Sequence, residues 1–329
     1  MPFSAPLGSL RLCQCEASTR RSSDTRSSKA GATRFGAAAD ITGGVSVGTV
    51  TVVGALGANI TGGTVNAGSL TGNVSGGNVT VTNLLTGGVS AGTVNAGSLT
   101  GDITGGAVTV TGALTGNVTA GTVSAGSMAG NVGSSVTISG LLNGEITAGT
   151  NSLGSLSSAS VTGGTNTITG AATVTTVNGG TTTVGGVATI TTLTTGTLNL
   201  NGATASIGTL NGGALSLGTT ALTVNDGNFA GVISGSNGSL VKATSGVLTL
   251  SGANTFGGRT TVSAGTLQIA AESNLGAVPA SFVAGQLTLG AASTQGILKT
   301  TGTTSLSANR GVTLAAGGGT TTLSTSVSG

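Results

Sequence analysis

The chain has 329 residues, of which 63 are glycine, 5% are charged and 2% are aromatic, and it contains no histidine, tryptophan or tyrosine. Hydrophobic residues make up 37% and the formal net charge is +3, so the composition is typical of neither an ordinary globular domain nor a disordered chain. The abundant β-branched residues, separated by glycine, asparagine and serine, indicate short strands and turns.

Residues 1–39 differ from everything that follows. They are rich in serine and arginine and lack any repeat, so we expect a disordered tail. No basic residue lies between Arg34 and Lys242, and the body therefore lacks the clustered cations that nucleic-acid binding requires. Cys13 and Cys15, without a second cysteine pair or a histidine, cannot complete a four-ligand zinc site. No apolar run reaches the length of about 18 residues that indicates a transmembrane helix.

The segment 40–150 contains a 29-residue repeat. GTVNAGSLTG occurs at 63–72 and again at 92–101, and GTVSAGSMAG follows at 121–130. Each unit divides into a 14-residue half and a 15-residue half, as in 63–76 and 77–91, and each half carries two aliphatic positions that form columns along the sequence. The first column is Leu56, Leu70, Leu85, Leu99, Leu114, Met128 and Leu142. The second column is Ile60, Val74, Val89, Ile103, Val118, Val132 and Ile146.

These columns predict stacked coils of short strands. Glycine at every fourth or fifth position costs about 1 kcal/mol each in a helix interior, which excludes helix. Strands about 4.8 Å apart would place equivalent side chains above one another in a continuous aliphatic core. The fold class is therefore all-β, a parallel β-helix or solenoid. A single long coil per repeat and two alternating shorter coils both fit the pattern.

The segment 151–222 continues the pattern with 16-residue and 17-residue spacings, and it shows no linker or change in composition. The columns are Val174, Ile190 and Ile207; Val177, Leu193 and Leu210; and Val184, Leu200 and Leu217, with Val161 and Ile168 as a partial earlier copy. We expect slightly longer coils of the same solenoid.

The segment 223–329 contains a recognisable motif, GSLVKATSGVLTLSGANTFGGRTTVSAGTLQIA at 238–270. It resembles the autotransporter-associated β-strand repeat of bacterial passenger domains. The matching residues are Gly238, Leu240, Lys242, Gly246, Leu248, Thr249, Leu250, Ser251, Gly252, Asn254, Thr255, Phe256, Gly257, Gly258, Thr260, Val262, Gly265, Thr266 and Leu267. A looser similarity covers 274–276, 287–289, 309–314 and the GGGT of 317–320.

This resemblance implies a right-handed parallel β-helix, displayed on or released from the surface of a Gram-negative-type cell and often adhesive. Members of this family carry an export signal at the front and a membrane β-barrel at the back. No export signal is recognisable here, since Arg11 interrupts the short apolar stretch of the tail. No membrane β-barrel is recognisable either. We therefore expect a gene fragment or an incorrectly predicted gene product, whose uncapped end would tend to self-associate.

Catalysis is not expected. The five acidic residues after residue 39 are dozens of residues apart, and without histidine no Ser-His-Asp arrangement exists. They are Asp40, Asp102, Glu145, Asp226 and Glu272. We accordingly assign no catalytic, cofactor-binding or metal-binding residue.

Two further patterns invite a ligand interpretation. A column of turn residues precedes the second aliphatic column and holds only two carboxylates, which favours left-handed turn residues or a stacked asparagine ladder over calcium ligands. Its members are Asn59, Asn73, Gly88, Asp102, Asn117, Asn131 and Glu145. Hydroxyl pairs flank buried positions in the second section and resemble the arrays of ice-binding solenoids, although simple exposed strand positions explain them as well. These pairs are Thr173 and Thr175, Thr189 and Thr191, and Thr204 and Ser206.

The sequence thus predicts a non-enzymatic, extracellular or surface-exposed β-solenoid that acts as a stalk or adhesin. Surface glycans or other cells are the candidate partners, but no aromatic platform marks a sugar site.

Overall fold

The computed structural model describes residues 32–36, 38–41, 44–202, 204–316 and 322–325. The described residues form 25 β-strands and one short 3-10 helix, without any α-helix. The all-β fold class predicted from the sequence is confirmed, and the strands wind into a parallel β-solenoid of about 14 turns. Its handedness stays a prediction.

The strands follow one another with only turns and loops between them. The first nine are β1 (Ala32–Phe35), β2 (Ala38–Asp40), β3 (Thr49–Gly57), β4 (Thr64–Thr71), β5 (Val74–Thr86), β6 (Val89–Thr100), β7 (Ala107–Thr115), β8 (Thr122–Ala129) and β9 (Val136–Asn143). The next eight are β10 (Thr150–Val161), β11 (Thr165–Ile168), β12 (Ala172–Val184), β13 (Ala188–Leu200), β14 (Thr204–Leu210), β15 (Ala214–Ser216), β16 (Ala221–Phe229) and β17 (Ile233–Ser234). The last are β18 (Ser239–Lys242), β19 (Val247–Leu250), β20 (Thr260–Val262), β21 (Gly265–Ile269), the 3-10 helix η1 (Glu272–Leu275), β22 (Val283–Leu289), β23 (Gly296–Thr300), β24 (Arg310–Leu314) and β25 (Thr322–Thr325).

Each strand pairs in parallel with the equivalent strand of the next coil. Thr64 pairs with Asn78, and Asn78 pairs with Thr93, so a 14-residue coil is followed by a 15-residue coil. The 29-residue repeat is therefore two alternating short coils, which resolves the question that the sequence left open. Coils lengthen along the axis, since Thr181 pairs with Thr197 and, further on, Leu240 pairs with Thr260.

Both predicted aliphatic columns lie inside the solenoid. Leu70, Leu85 and Leu99 pair in register in successive coils, and each is at most 1% exposed. The second column pairs through a series of parallel bridges, such as Ile103 to Val118, and is equally buried. The columns of the second section are confirmed in the same way: Val174 pairs with Ile190 and then Ile207. One continuous apolar core results.

A further core column, which the sequence analysis did not recognise, explains the alternation of the two coil lengths. It alternates small and large side chains, as in Ala67, Val81, Ala96 and Val110, all of them buried. The next core residue follows three positions after each alanine but four positions after each valine, at a corner where the strand register shifts. The larger side chain thus coincides with the extra residue of the longer coil, so small and large coils stack alternately.

Stacked glycines form the corner after the first aliphatic column. Gly101 has a φ of +149° and lies so close to the coil below that a Cβ would collide with the carbonyl oxygen of Gly87. Its neighbours in the column include Gly116, with a φ of +148°. Only glycine accommodates both the backbone angle and the close approach.

The solenoid begins earlier than the sequence predicted. Ala32–Phe35 already pairs with β3, and Ala38–Asp40 pairs with the same strand further along. Phe35 is half-buried and packs against the core, which gives this part of the arginine-rich segment a reason to be ordered. Cys13, Cys15 and the rest of 1–31 lie outside the described residues, as does the GGGT at 317–320. The division of the body into three sections stays a prediction.

Candidate functional surfaces

The turn column is a hydrogen-bonded ladder. The side-chain oxygen Oδ1 of Asn59 accepts from the main-chain N–H of Asn73 at 2.9 Å, and Asn73 does the same for Gly88 at 2.8 Å. Asp102 Oδ1 accepts from the N–H of Asn117, again at 2.8 Å. No described non-glycine residue has a positive φ, so the left-handed alternative is wrong and the ladder is the correct explanation. These oxygens already bind backbone donors, which leaves the column a structural role.

The acidic side chains that the structure describes do not converge on one site. Asp226 accepts a hydrogen bond from the Thr209 hydroxyl at 3.0 Å, and Glu272 forms an ion pair with Arg310 at 3.2 Å. Asp102 and Glu145 stand three coils apart in the ladder. Within the described parts of the chain, no three residues among histidine, cysteine, aspartate and glutamate lie together in a group that could hold a metal ion.

The predicted hydroxyl pairs of the second section stack only in part. Thr173 pairs with Thr189, but Thr189 then pairs with Ser206, while Thr204 pairs with Ala221 in the following coil. Ser206, the second member of the third pair, therefore aligns with Thr173 and Thr189, which are the first members of the other two pairs. A two-rank array at these positions does not extend through the three coils.

A different outer face carries the longer array, and we call it the threonine face. Val65 and Val79 belong to a column of buried residues, one in each coil. The threonine face consists of the two outward residues that lie directly before and after each member of this column. The first rank is Thr49, Thr64, Asn78, Thr93, Ala107, Thr122, Ser135, Thr150, Thr165, Thr181, Thr197 and Ala214. The second rank is Thr51, Asn66, Thr80, Asn95, Thr109, Ser124, Thr137, Ser152, Thr167, Thr183, Asn199 and Ser216.

The sequence contained a signal for this face. The valine five residues after the second aliphatic column recurs in nearly every half-repeat, and a hydroxyl or amide residue flanks it on both sides, as in Thr64-Val65-Asn66 and Asn78-Val79-Thr80. Because side chains alternate across a strand, both flanking residues must face outward. The pairs are hard to recognise as two ranks because asparagine, serine and alanine interrupt the threonines.

A shallow open groove of about 230 Å³ borders the threonine face. Asn95, Ala96 and Gly97 of a short coil line its floor, between Thr80 and Thr109 of the two longer neighbouring coils. The groove follows from the missing corner residue of the short coil. No charged or aromatic side chain lines it.

In the third section, polar side chains replace part of the core. Lys242 is fully buried between Val224 and Val262 of the adjacent coils. Its ammonium group donates to the carbonyl oxygens of Thr244 and Ala264, the latter at 3.2 Å. Burial lowers the pKa of Lys242 from its ordinary value of 10.5, and the charge of Asp226 partly opposes this shift.

Buried amides connect the longer loops of this section. Asn254 accepts from the N–H of Ile233 at 2.8 Å and donates to the carbonyl of Asn274 at 2.6 Å. Asn274 in turn accepts from the N–H groups of Ala270 and Ala271 and donates to the carbonyl of Gly252 at 2.9 Å. The two side chains hold three consecutive coils together.

Arg310 closes the loop that contains η1. Its buried guanidinium donates to Glu272 and to three backbone carbonyls at 3.0 to 3.2 Å. These carbonyls belong to Leu275, Gly276 and Ala277. Among the described residues, no backbone N–H donates to these three carbonyls, and the arginine supplies their hydrogen bonds.

These features define the class of protein: a parallel β-solenoid with a continuous apolar core, which polar side chains enter in its later coils, and an uncharged threonine face. Residues 240–269 match the family model of the passenger-associated-transport-repeat. This match and the solenoid together support an autotransporter passenger-type repeat protein, as the resemblance implied. No curated protein and no solved structure matched the chain significantly.

The matched segment contains the residues that the third section uses for its core. Lys242, Asn254 and Phe256 are all buried, and Asn254 and Lys242 bind backbone groups of neighbouring coils. The motif therefore encodes how a long coil is closed. Among the described residues, no helix is long and apolar enough to cross a membrane.

Proposed function

We propose that this protein is a non-enzymatic passenger-type solenoid that serves as an extracellular or surface-attached stalk with an adhesive role. The repeat family supports an extracellular or surface location and a structural role. The uninterrupted parallel pairing of coils carries the proposal, since it makes the body a single rod. About 14 turns at about 4.8 Å each give a length on the order of 65 Å.

A rod of this kind suits the support of other groups at a distance from a cell. Each coil contacts only its neighbours, so rigidity comes from the continuous core and from the main-chain ladders along the axis. The acidic residues lie apart, and two of them are already bound by Thr209 and Arg310. This arrangement supports a scaffold rather than a reaction centre.

Surface labelling tests the location. Antibodies raised against the solenoid should label intact cells that express the full gene, and protease added outside the cells should remove the signal. Retention of the protein inside intact cells, protected from protease, would contradict the proposal.

A binding screen separates stalk from adhesin. The purified full chain is presented to a glycan array and to whole cells, with heat-unfolded protein as the control. Specific retention of the folded chain supports the adhesive role. Absence of binding to all surfaces would restrict the function to that of a stalk.

A further inference from the structure

The threonine face is unusually regular. From Thr49–Val52 onward, successive strands pair along this face without a register shift, and the irregularities lie beyond it at the corner. Twelve coils contribute two outward residues each. Neighbouring coils are about 4.8 Å apart, and residues i and i+2 of one strand are about 6.6 Å apart, so the side chains form a nearly rectangular lattice.

The side chains of this lattice are uncharged and mostly stiff. Fourteen of the 24 positions are threonine, and the others are serine, asparagine or alanine. Threonine is restricted at χ1 because of its branched Cβ. Each threonine therefore holds its methyl and hydroxyl groups near fixed positions, and it loses little side-chain entropy when a ligand binds.

The hydroxyl groups of this face remain available to solvent. No threonine hydroxyl of the face between Thr64 and Thr167 donates a hydrogen bond within the described chain. Hydroxyls at the corner after the second aliphatic column behave differently: Thr61 donates to the carbonyl of Val45 at 3.3 Å, and Thr147 donates to that of Val132 at 3.2 Å. The solenoid thus uses corner hydroxyls as internal donors. On the face, two hydroxyls accept internal hydrogen bonds: Ser135 from the N–H of Thr150 at 3.0 Å and Thr183 from the side-chain amide of Asn199 at 3.3 Å.

A regular, neutral lattice rich in threonine fits a ligand that is itself a neutral lattice of hydrogen-bonding groups. Both spacings are set by strand geometry and therefore persist over all twelve coils. Charged side chains would organise water around themselves, and this face has none. We propose that the threonine face binds ice. This function goes beyond the proposed stalk and does not depend on it.

The test measures thermal hysteresis and inhibition of ice recrystallisation with the purified full chain. We expect the wild type to produce a hysteresis gap and faceted ice crystals. The double variant T80Y/T109Y places two bulky rings on the face two coils apart and should reduce the gap to the level of buffer. Tyrosine suits exposed strand positions, so the variant should fold, and circular dichroism checks this.

The matched control is T86Y/T115Y. Thr86 and Thr115 lie in the same two strands, β5 and β7, are exposed, and belong to the rank that follows the first aliphatic column. This control should retain the full gap. Equal loss in both variants, or no gap in the wild type at high concentration, would overturn the proposal. Retention of the wild type on insoluble cellulose or chitin without any effect on ice would assign the face to glycans and overturn it as well.

Discussion

The first and third sections of the solenoid close their coils by different means. Between residues 44 and 150, where every residue is described, no polar side chain is buried. In the third section the buried set includes Lys242, Asn254, Asn274, Gln286 and Arg310. The short coils of the first section satisfy their backbone through the next coil, whereas longer coils contain loops whose backbone groups need side-chain partners. Long loops are therefore one reason why polar side chains enter the core.

A substitution in the aliphatic core of the first section should have the largest effect on stability. Leu99 is 1% exposed between Leu85 and Leu114 of the adjacent coils. L99A should lower the free energy of unfolding by about 2 to 5 kcal/mol, because it leaves a cavity in a close-packed column. Chemical denaturation followed by circular dichroism measures the change.

Leu84 provides the control for this variant. It lies in the adjacent coil, beside the buried Leu85, and is 41% exposed. L84A should alter stability by about 0.5 kcal/mol or less. If the two variants lost similar stability, the first section would not depend on its interior columns.

The amides of the two sections offer a direct comparison. N254L removes a buried partner of the Ile233 N–H and the Asn274 carbonyl, and should cost about 2 to 3 kcal/mol because both groups become unsatisfied. N117L removes the acceptor of the Asn131 N–H in the exposed ladder. Because water can replace this acceptor, the loss should be about 1 kcal/mol or less.

Hydrogen exchange locates each effect. N254L should increase exchange in the coils of the third section, and N117L should affect only the coils beside the ladder position. Similar losses for the two variants would show that burial does not distinguish the amides.

Lys242 should produce the smallest effect, visible as a pH dependence. Its pKa is lowered in the folded protein by burial, so the unfolded chain binds more protons between that lowered value and the ordinary value of 10.5. Stability should therefore rise as the pH increases through this interval. K242M keeps the apolar stem and removes the titrating group, and its stability should lack this rise.

Denaturation midpoints of the wild type and K242M, compared from neutral pH to the ordinary lysine pKa of 10.5, measure this difference. Parallel curves for the two proteins would mean that Lys242 does not supply the alkaline stabilisation.

Several features of the fold were predictable from the sequence because they are repeated contacts. The leucine and valine columns appear in the sequence since every coil must present the same interior to its neighbours, and Leu70, Leu85 and Leu99 were assigned correctly on that basis. The motif at 238–270 similarly indicated a passenger repeat. The threonine face was missed, although a flanked valine recurs in the sequence, because asparagine, serine and alanine interrupt the threonines of its two ranks.

The sequence by itself determined the β-solenoid and its aliphatic interior, because both follow from local periodicity. Only the tertiary structure decided that each repeat of the first section contains two coils, because the periodicity is compatible with one turn or two until the strands are paired. It also decided that Lys242 and Arg310 are buried. A charged residue enters the core only where carbonyl groups from distant loops converge on it, and that convergence depends on the closure of long coils.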